Sequence, residues 1–401
     1  MSEPLPRQAS RLAGYPASFY LALLANLFFF GSFQWSYVTL PGFIQSLGGD
    51  ATHIGLAFGL STLSAVLVRP AVAPFIDRWG RRVALAVGAA LFALEPVLYT
   101  LTSTVWPFLA VRLLRGLALA AFTTAYTALA ADLAPEGRRG EAIGLSGVTN
   151  NLGMLFMPAL GAAVLAWSNY DVHFWTSAAV AVLSLLCVLP LREPARAPAA
   201  ALRVSKVARS EPGFWQVARR KPVWLASLGG TGLAVAYGAA LSFMAPLAEA
   251  RGLAAAGGYF TAFALAMMAA QAAAGWLSDR VGRRAVALPG LAAAVLAGLG
   301  LGLAHSDLAL LASGAGLGLS WGLVRAGLDT AVVDAVPNAA RASALGVLYT
   351  CFDAGVGLGS FGLGLAAESW GYGAAFYAAA AWATLAFAAY LLLGAGDTEI
   401  H

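Results

Sequence analysis

Twelve apolar runs, separated by short charged or turn-rich joins, occupy almost all of this 401-residue chain. That pattern leaves few folds open. A hydrocarbon layer about 30 Å thick takes a helix of about 20 apolar residues. Lipid offers the backbone no hydrogen-bonding partners, so each crossing must satisfy its own N–H and C=O groups as a helix. Charge and turn residues set the limits of the runs at 18–46, 53–76, 83–102, 106–133, 141–167, 173–191, 222–250, 257–277, 285–304, 308–335, 341–368 and 371–394. The expected fold is an all-α membrane protein of twelve transmembrane helices in two six-helix bundles, 1–191 and 222–401. The linker 192–221 carries Pro194, Pro198 and Pro212 with eight basic residues and reads as a cytoplasmic tether. The first 17 residues lack an apolar core, so no cleaved signal is expected.

Composition removes the soluble alternatives. Hydrophobic residues make up 60% and charged residues 11%, against about 45–50% and about 25% in an ordinary soluble domain. A net charge of +5 elsewhere points to nucleic acid, but that reading needs a basic stripe on a soluble face. Here the 24 Lys and Arg mark topology. Arg69, Arg112, Arg115 and Arg325 lie inside spans and Arg251 in an outer loop. The remaining nineteen occupy the amino tail, the tether and alternate loops, all on one side of a twelve-span chain. Short loops rich in Lys and Arg stay cytoplasmic, which places both termini on the cytoplasmic side. Cys187 and Cys351 each stand alone in an apolar run and form neither a disulfide framework nor a metal set. His53, His173 and His305 fall near outer span ends and His401 is the last residue. No metal is expected from them, although an outward-facing His could sense external pH.

The two halves repeat one another. Asp77-Arg78-Trp79-Gly80-Arg81-Arg82 recurs as Asp279-Arg280-Val281-Gly282-Arg283-Arg284, an offset of 202. Asp132-Leu133-Ala134-Pro135 with Arg139 and Gly144 recurs at the same offset as Asp334-Ala335-Val336-Pro337 with Arg341 and Gly346, and Gly153 matches Gly355. Parallel six-span repeats are how secondary transporters build a central site between two rocking halves.

These motifs resemble the major facilitator superfamily over nearly the whole chain. The loop signature of that family, a Gly four residues before Asp-Arg-x-Gly-Arg-Arg, is complete at Gly275 and Asp279 to Arg284; the first copy has Ala73 in place of the Gly. Arg112-Leu113-Leu114-Arg115-Gly116 is similar to its fourth-span pattern. Gly144, Gly153, Pro158 and Gly161 fit the fifth-span motif of its exporters, with Met157 where that motif has Gly. Tyr37 to Pro41 and Phe352 to Gly357 also look like bacterial efflux permeases of the superfamily. The resemblance implies drug:proton antiport, a cytoplasmic latch at the two loops, a role for Arg112 in coupling, and a site supplied largely by spans one, four, seven and ten.

In physical terms, Asp77 and Asp279 can sit against the positive end of a helix in the opposite half, whereas Arg81, Arg82, Arg283 and Arg284 alone would merely fix topology. The expected latch comprises Asp77, Arg78, Gly80, Arg81, Arg82, Gly275, Asp279, Arg280, Gly282, Arg283 and Arg284. Asp132 with Arg139 and Asp334 with Arg341 belong to the same cytoplasmic ring. Charges inside spans each cost at least about 2.5–3.5 kcal/mol on insertion scales and face a cavity or a partner. They are Arg69, Glu95, Arg112, Arg115, Arg325, Asp329 and Asp353. A buried carboxylate exchanges a proton unless a neighbouring arginine holds it ionised, which makes Asp353 and Glu95, with Arg112, the candidates for proton coupling. Arg325 and Asp329, four residues apart on one helix, can neutralise each other.

The expected substrate cavity gathers Asn26, Gln34, Trp35, Arg69, Arg115, Asn150, Asn151, Trp321, Arg325, Asp329 and Tyr349, apolar with a few placed polar groups. Trp106, Trp167 and Trp370 read as interface anchors. Gly357-Leu358-Gly359-Ser360-Phe361-Gly362 spells a dinucleotide fingerprint but lacks the required preceding strand. It reads as small-residue helix packing. With no Walker loop, the expected energy source is the proton gradient, with no cofactor. The expected protein is a monomeric, non-enzymatic exporter of small amphipathic compounds working by alternating access. Excess basic charge in the membrane also admits a specific anionic or zwitterionic metabolite, such as an opine-like metallophore or a sugar. A non-transporting membrane receptor is the third reading.

Overall fold

The computed structural model describes residues 14–135, 138–193, 214–337 and 340–393, without the side chains at 73, 139, 140, 143, 214, 215, 275, 279 and 342. Residues 194–213 of the central tether therefore lie outside the described residues, as do the side chains of Arg139 and Asp279. Twelve helical segments are long and apolar enough to cross a membrane, and no strand occurs among the described residues. The second to sixth spans are Ala51–Trp79, Arg81–Thr100, Val105–Leu133, Arg139–Trp167 and Tyr170–Val188. The seventh to tenth are Lys221–Ala250, Ala256–Val281, Arg283–Leu303 and Asp307–Asp334, and the twelfth is Tyr372–Leu393.

Local chemistry explains the ends. Asp50, Asn169 and Ser306 each accept a hydrogen bond from the backbone N–H three residues on, at 2.9, 3.0 and 3.3 Å, capping the second, sixth and tenth spans. Gly80 (φ +95) and Gly282 (φ +89) separate spans two from three and eight from nine in a conformation that disfavours any Cβ. The repeated Asp-Arg-x-Gly-Arg-Arg sequence is thus the sharp turn of each half.

Two spans depart from the uniform helices that their apolar patterns predict. The first ends at Trp35 and resumes as Leu40–Ser46. Pro41 can occupy the first turn of the resumed helix because no intrahelical N–H is needed there. His173, fully buried, holds the break: its Nε2 lies 3.1 Å from Ser36 Oγ and 2.9 Å from Thr39 Oγ1, and its Nδ1 lies 3.1 Å from the Gly161 carbonyl. This His does not face outward, and the idea that it reads external pH fails for it. The eleventh span runs as Arg341–Gly357, a π-helical turn Leu358–Gly362 and Leu363–Trp370. The Gly-x-Gly-x-x-Gly run coincides with that turn, where a Cβ on Gly359 would lie 2.2 Å from the Val235 carbonyl oxygen.

Packing is dense inside 17–188 and inside 221–393. The two regions meet chiefly along two seams, the second span against the eleventh and the fifth against the eighth, with smaller contacts of the seventh span on the first and second. One continuous apolar cluster runs through the second region and crosses into the first through Tyr37, Phe43, Ile54 and Phe58. Those residues lie toward the face opposite the arginine-rich loops. There Gln45 Nε2 donates to Tyr372 Oη at 3.0 Å, Thr52 donates to Glu368, and Gly55 packs against the backbone of Ser360. Deeper, Thr261 Oγ1 donates to the Leu155 carbonyl at 2.9 Å and Asn151 Nδ2 to Gln271 Oε1 at 3.0 Å. Toward the arginine-rich side, by contrast, Cβ atoms added at Gly144, Gly147 and Gly346 would meet nothing within 4 Å.

Candidate functional site

A cavity of about 360 Å³ lies between the halves. Its aromatic walls come from Phe30, Phe33 and Tyr37 of the first span, Phe58 of the second, Tyr237 of the seventh, Trp321 of the tenth and Phe352 of the eleventh. Helical spacing explains much of the set: Phe30 and Phe33 share one face of the first helix, with Tyr37 in the break just beyond it, and Phe58, Ser61, Ala65 and Arg69 share one face of the second span. Tyr37 and Tyr237, one from each half, both line the space.

Three charge groups meet this wall. In the first half, Glu95 is completely buried and touches two guanidiniums, Arg115 Nη1 at 3.1 Å and Arg112 Nη1 at 3.5 Å. Tyr99 donates to the same carboxylate. Arg112 also donates through Nε to the Ala57 carbonyl at 2.9 Å, and Arg115 donates to the Phe33 carbonyl. The Arg115 guanidinium lies 4.4 Å from the Phe33 ring centroid and 4.9 Å from that of Phe92. In the second half, Arg325 Nη2 pairs with Asp329 Oδ2 at 3.2 Å, the i,i+4 neutralisation read from the sequence, and Tyr349 donates to the same oxygen at 3.2 Å. The third group joins the halves: Arg69 Nη1 of the second span lies 3.1 Å from Asp353 Oδ2 of the eleventh. Arg69, Arg112, Arg115, Arg325 and Asp353 all line the cavity, whereas Glu95 and Asp329 stand behind the wall.

Of the expected lining residues, Arg69, Arg115, Trp321, Arg325 and Tyr349 are on the wall, and Asn26, Gln34, Trp35, Asn150, Asn151 and Asp329 are not. The first-span polar groups turn the other way because they join that span to the fifth. Asn26 Nδ2 donates to Thr149 Oγ1 at 2.7 Å and Gln34 Nε2 to Asn150 Oδ1 at 3.0 Å. Gly153 and Gly161 permit this approach, since Cβ atoms there would lie 2.9 Å from Gln34 Oε1 and 2.1 Å from the Trp35 carbonyl oxygen. The exporter-motif positions therefore divide. Gly153 and Gly161 pack against the first span, Pro158 sits inside the fifth helix, and a Cβ on Gly144 would meet nothing within 4 Å. Tyr37, Phe33, Phe58 and Tyr237 are wall residues absent from the cavity set expected from the sequence; the i, i+3, i+7 spacing of Phe30, Phe33 and Tyr37 is the signal that could have found the first-span members.

The arginine-rich loops are organised by the same offset that relates their sequences. Arg81 pairs with Asp132, and Arg283 Nε with Asp334 Oδ2 at 3.1 Å. Arg82 donates to the Leu189 carbonyl and Arg284 Nη2 to the Leu391 carbonyl at 2.5 Å. Each of these bonds lies inside one half. Asp77, Arg78 and Arg280 are exposed, and Arg280 stacks on Trp276 with its guanidinium 3.9 Å from the ring centroid. Arg341 Nε donates to the Val333 carbonyl at 3.3 Å.

The sequence model of the Major Facilitator Superfamily matches residues 22–260 and 247–399. Multidrug resistance protein 1 of Bacillus subtilis (strain 168) is 30% identical over 179 residues, covering 44% of this chain and 46% of that protein. The multi-drug resistance efflux pump PmrA homolog of Lactococcus lactis is 26% identical over 189 residues, 46% of each chain. The matched region thus spans less than half the length of these relatives. Among solved structures, a bacterial homolog of the human lysosomal transporter Spinster superposes with a TM-score of 0.77 at 19% identity, over 94% of this chain and 96% of that one. The nucleoside transporter NupG superposes with a TM-score of 0.74 at 14% identity, over 93% and 99%. With both halves matched by the family and the same twelve-helix fold, this chain is a multi-pass member of the Major Facilitator Superfamily.

Proposed function

We propose that this protein is a secondary active exporter that moves small amphipathic compounds out across a bacterial inner membrane in exchange for protons. The observation that carries the reading is the Arg69–Asp353 pair, which links the two halves inside the cavity at 3.1 Å. Such a pair holds only while Asp353 is ionised, so a proton on Asp353 and the bridge to Arg69 exclude one another. By linkage, the conformation that contains the bridge gives up its proton more readily than one without it. The nineteen basic residues on one side orient the arginine-rich loops toward the cytoplasm, and the cavity opens on that side. A state that opens inward and releases the proton inward is the sign that proton-driven export requires. The gradient supplies the energy, and no cofactor takes part.

Alternating access then consists of rocking 1–191 against 222–401 about the cavity, with both termini cytoplasmic and the loop motifs latching the cytoplasmic side in the opposite state. The drug-efflux relatives and the aromatic wall support a compact amphipathic cargo. The test is ΔpH-driven flux in proteoliposomes with cationic, zwitterionic and anionic dyes. Asp353→Asn is expected to abolish ΔpH-driven flux while exchange of cargo without a gradient persists. Full ΔpH-driven flux in both Asp353→Asn and Glu95→Gln would refute proton coupling at either carboxylate.

A further inference from the structure

We propose that the polar end of the cargo is an anion, a carboxylate or a phosphate ester, seated against Arg112 and Arg115. The proposal rests on the export reading for its route across the membrane, but its evidence is the charge balance of the wall.

Two of the three charge groups at the cavity are internally neutral, Arg69 with Asp353 and Arg325 with Asp329. The third is not, because Arg112 and Arg115 share the single carboxylate of Glu95. That carboxylate is fully engaged, accepting from Tyr99 and Arg115 and pairing with Arg112. It also stands behind the wall, while both arginines are on it. The surplus positive charge therefore faces the cavity, from side chains only 1% and 8% exposed.

A guanidinium out of water without a full counter-charge is costly, and replacing that missing charge is what a bound anion does. Guanidinium groups are also matched to carboxylate and phosphate by their forked donors. The rest of the wall offers a cation little. Asp353 is the single carboxylate lining the cavity among the described residues, and Arg69 already occupies it. Phe33 and Phe58 flank the two arginines, at 4.4 Å from the Arg115 guanidinium and 5.4 Å from that of Arg112. An apolar body would lie along these rings with its anionic end on the arginines. A cavity of about 360 Å³ is at the small end of the range for ligand sites, about 300–1,000 Å³, so the body is of the size of a fused aromatic pair or a short acyl chain.

The experiment is calorimetric binding to the purified full chain of four probes built on one naphthylmethyl body: the carboxylate, the phosphate monoester, the primary amide and the trimethylammonium. At least one of the two anions is expected to bind about tenfold or more tighter than the amide, and the trimethylammonium more weakly than the amide. Which anion leads distinguishes a carboxylate cargo from a phosphate one. Arg115→Gln leaves one guanidinium on Glu95 and is expected to erase the preference for anion over amide, whereas Arg115→Lys retains it. Equal affinities, a preference for the trimethylammonium, or no binding of either anion would overturn the proposal, and the wild-type series decides this even where a variant fails to fold. ΔpH-driven flux of the same probes separates the two readings. Flux of the trimethylammonium alone overturns the anion site and leaves proton-coupled export standing. Tight anion binding with no ΔpH-driven flux of any probe keeps the anion site and removes the export reading.

Discussion

Replacing Gly55 by alanine tests the alternation of the two halves without touching the charged groups. A Cβ at this position of the second span would lie 2.3 Å from the Ser360 carbonyl oxygen, 3.1 Å from its carbonyl carbon and 3.2 Å from Phe361 Cα. All three atoms are backbone of the eleventh span, in the other half, so no side-chain rotation relieves the contact. A carbon to oxygen approach is comfortable at about 3.3 Å or more, so the seam must part by about 1 Å. Overpacking of this kind costs about 1–3 kcal/mol. Because the clash exists only where the outer seam is closed, it acts on the balance between conformations rather than on either half alone, a shift of about 5- to 140-fold. The assay is labelling by a membrane-impermeant maleimide added from outside, with Leu241→Cys on the cavity wall as reporter and Cys187 and Cys351 replaced by serine. The labelling rate is expected to rise within that range. Gly144→Ala, where the added atom meets nothing within 4 Å, is expected to leave it unchanged. Unchanged labelling in Gly55→Ala, or a lower melting temperature without faster labelling, would show that the second and eleventh spans do not separate.

Other perturbations separate structural from functional charge. Glu95→Gln leaves two buried guanidiniums without their carboxylate and is expected to lower stability by about 3–5 kcal/mol, seen as earlier thermal aggregation in detergent; a change under about 1 kcal/mol would refute the buried triad. His173→Ala strands the Ser36 and Thr39 hydroxyls at the break in the first span, at a cost of about 1–3 kcal/mol per unsatisfied group, measured by the same assay. Asp334→Asn removes the charge from an ion pair that is 34% and 56% exposed; such pairs contribute about 0–1 kcal/mol, so melting should hardly move, and a larger loss would mean that the loop carries more of the fold than this contact.

The spans are legible in the sequence because a helix long enough to cross lipid must be written as an apolar run, and the described helices end within a few residues of the charges and turns that limit those runs. The interruptions are not, because their causes are distant in sequence. The break after Trp35 depends on His173, 137 residues from Ser36, and the π-helical turn at 358–362 packs against Val235 and Gly238. Arg325 with Asp329 can be paired from helical spacing, but Arg69 and Asp353 are 284 residues apart and meet only once the halves are assembled. The assignment of Asn26 and Gln34 to the cavity fails for a related reason. A polar residue at mid-span needs a partner, and sequence alone does not say whether that is cargo or the amides and hydroxyls of a neighbouring helix. Here Gly153 and Gly161 draw the fifth span close enough to supply it.

The claim that a proton on Asp353 resets the two halves is tested most directly by a distance. Spin labels on cysteines replacing Gly147 and Gly346, whose added atoms would meet nothing within 4 Å, report the mouth on the arginine-rich side by double electron–electron resonance in nanodiscs. Because the state with the side opposite the loops sealed contains the Arg69–Asp353 bridge, acidification is expected on the export reading to move population from the long distance to the short one in the wild type. Asp353→Asn is expected to abolish that pH dependence. A distribution that does not respond to pH, or one that responds equally in Asp353→Asn, would contradict the account.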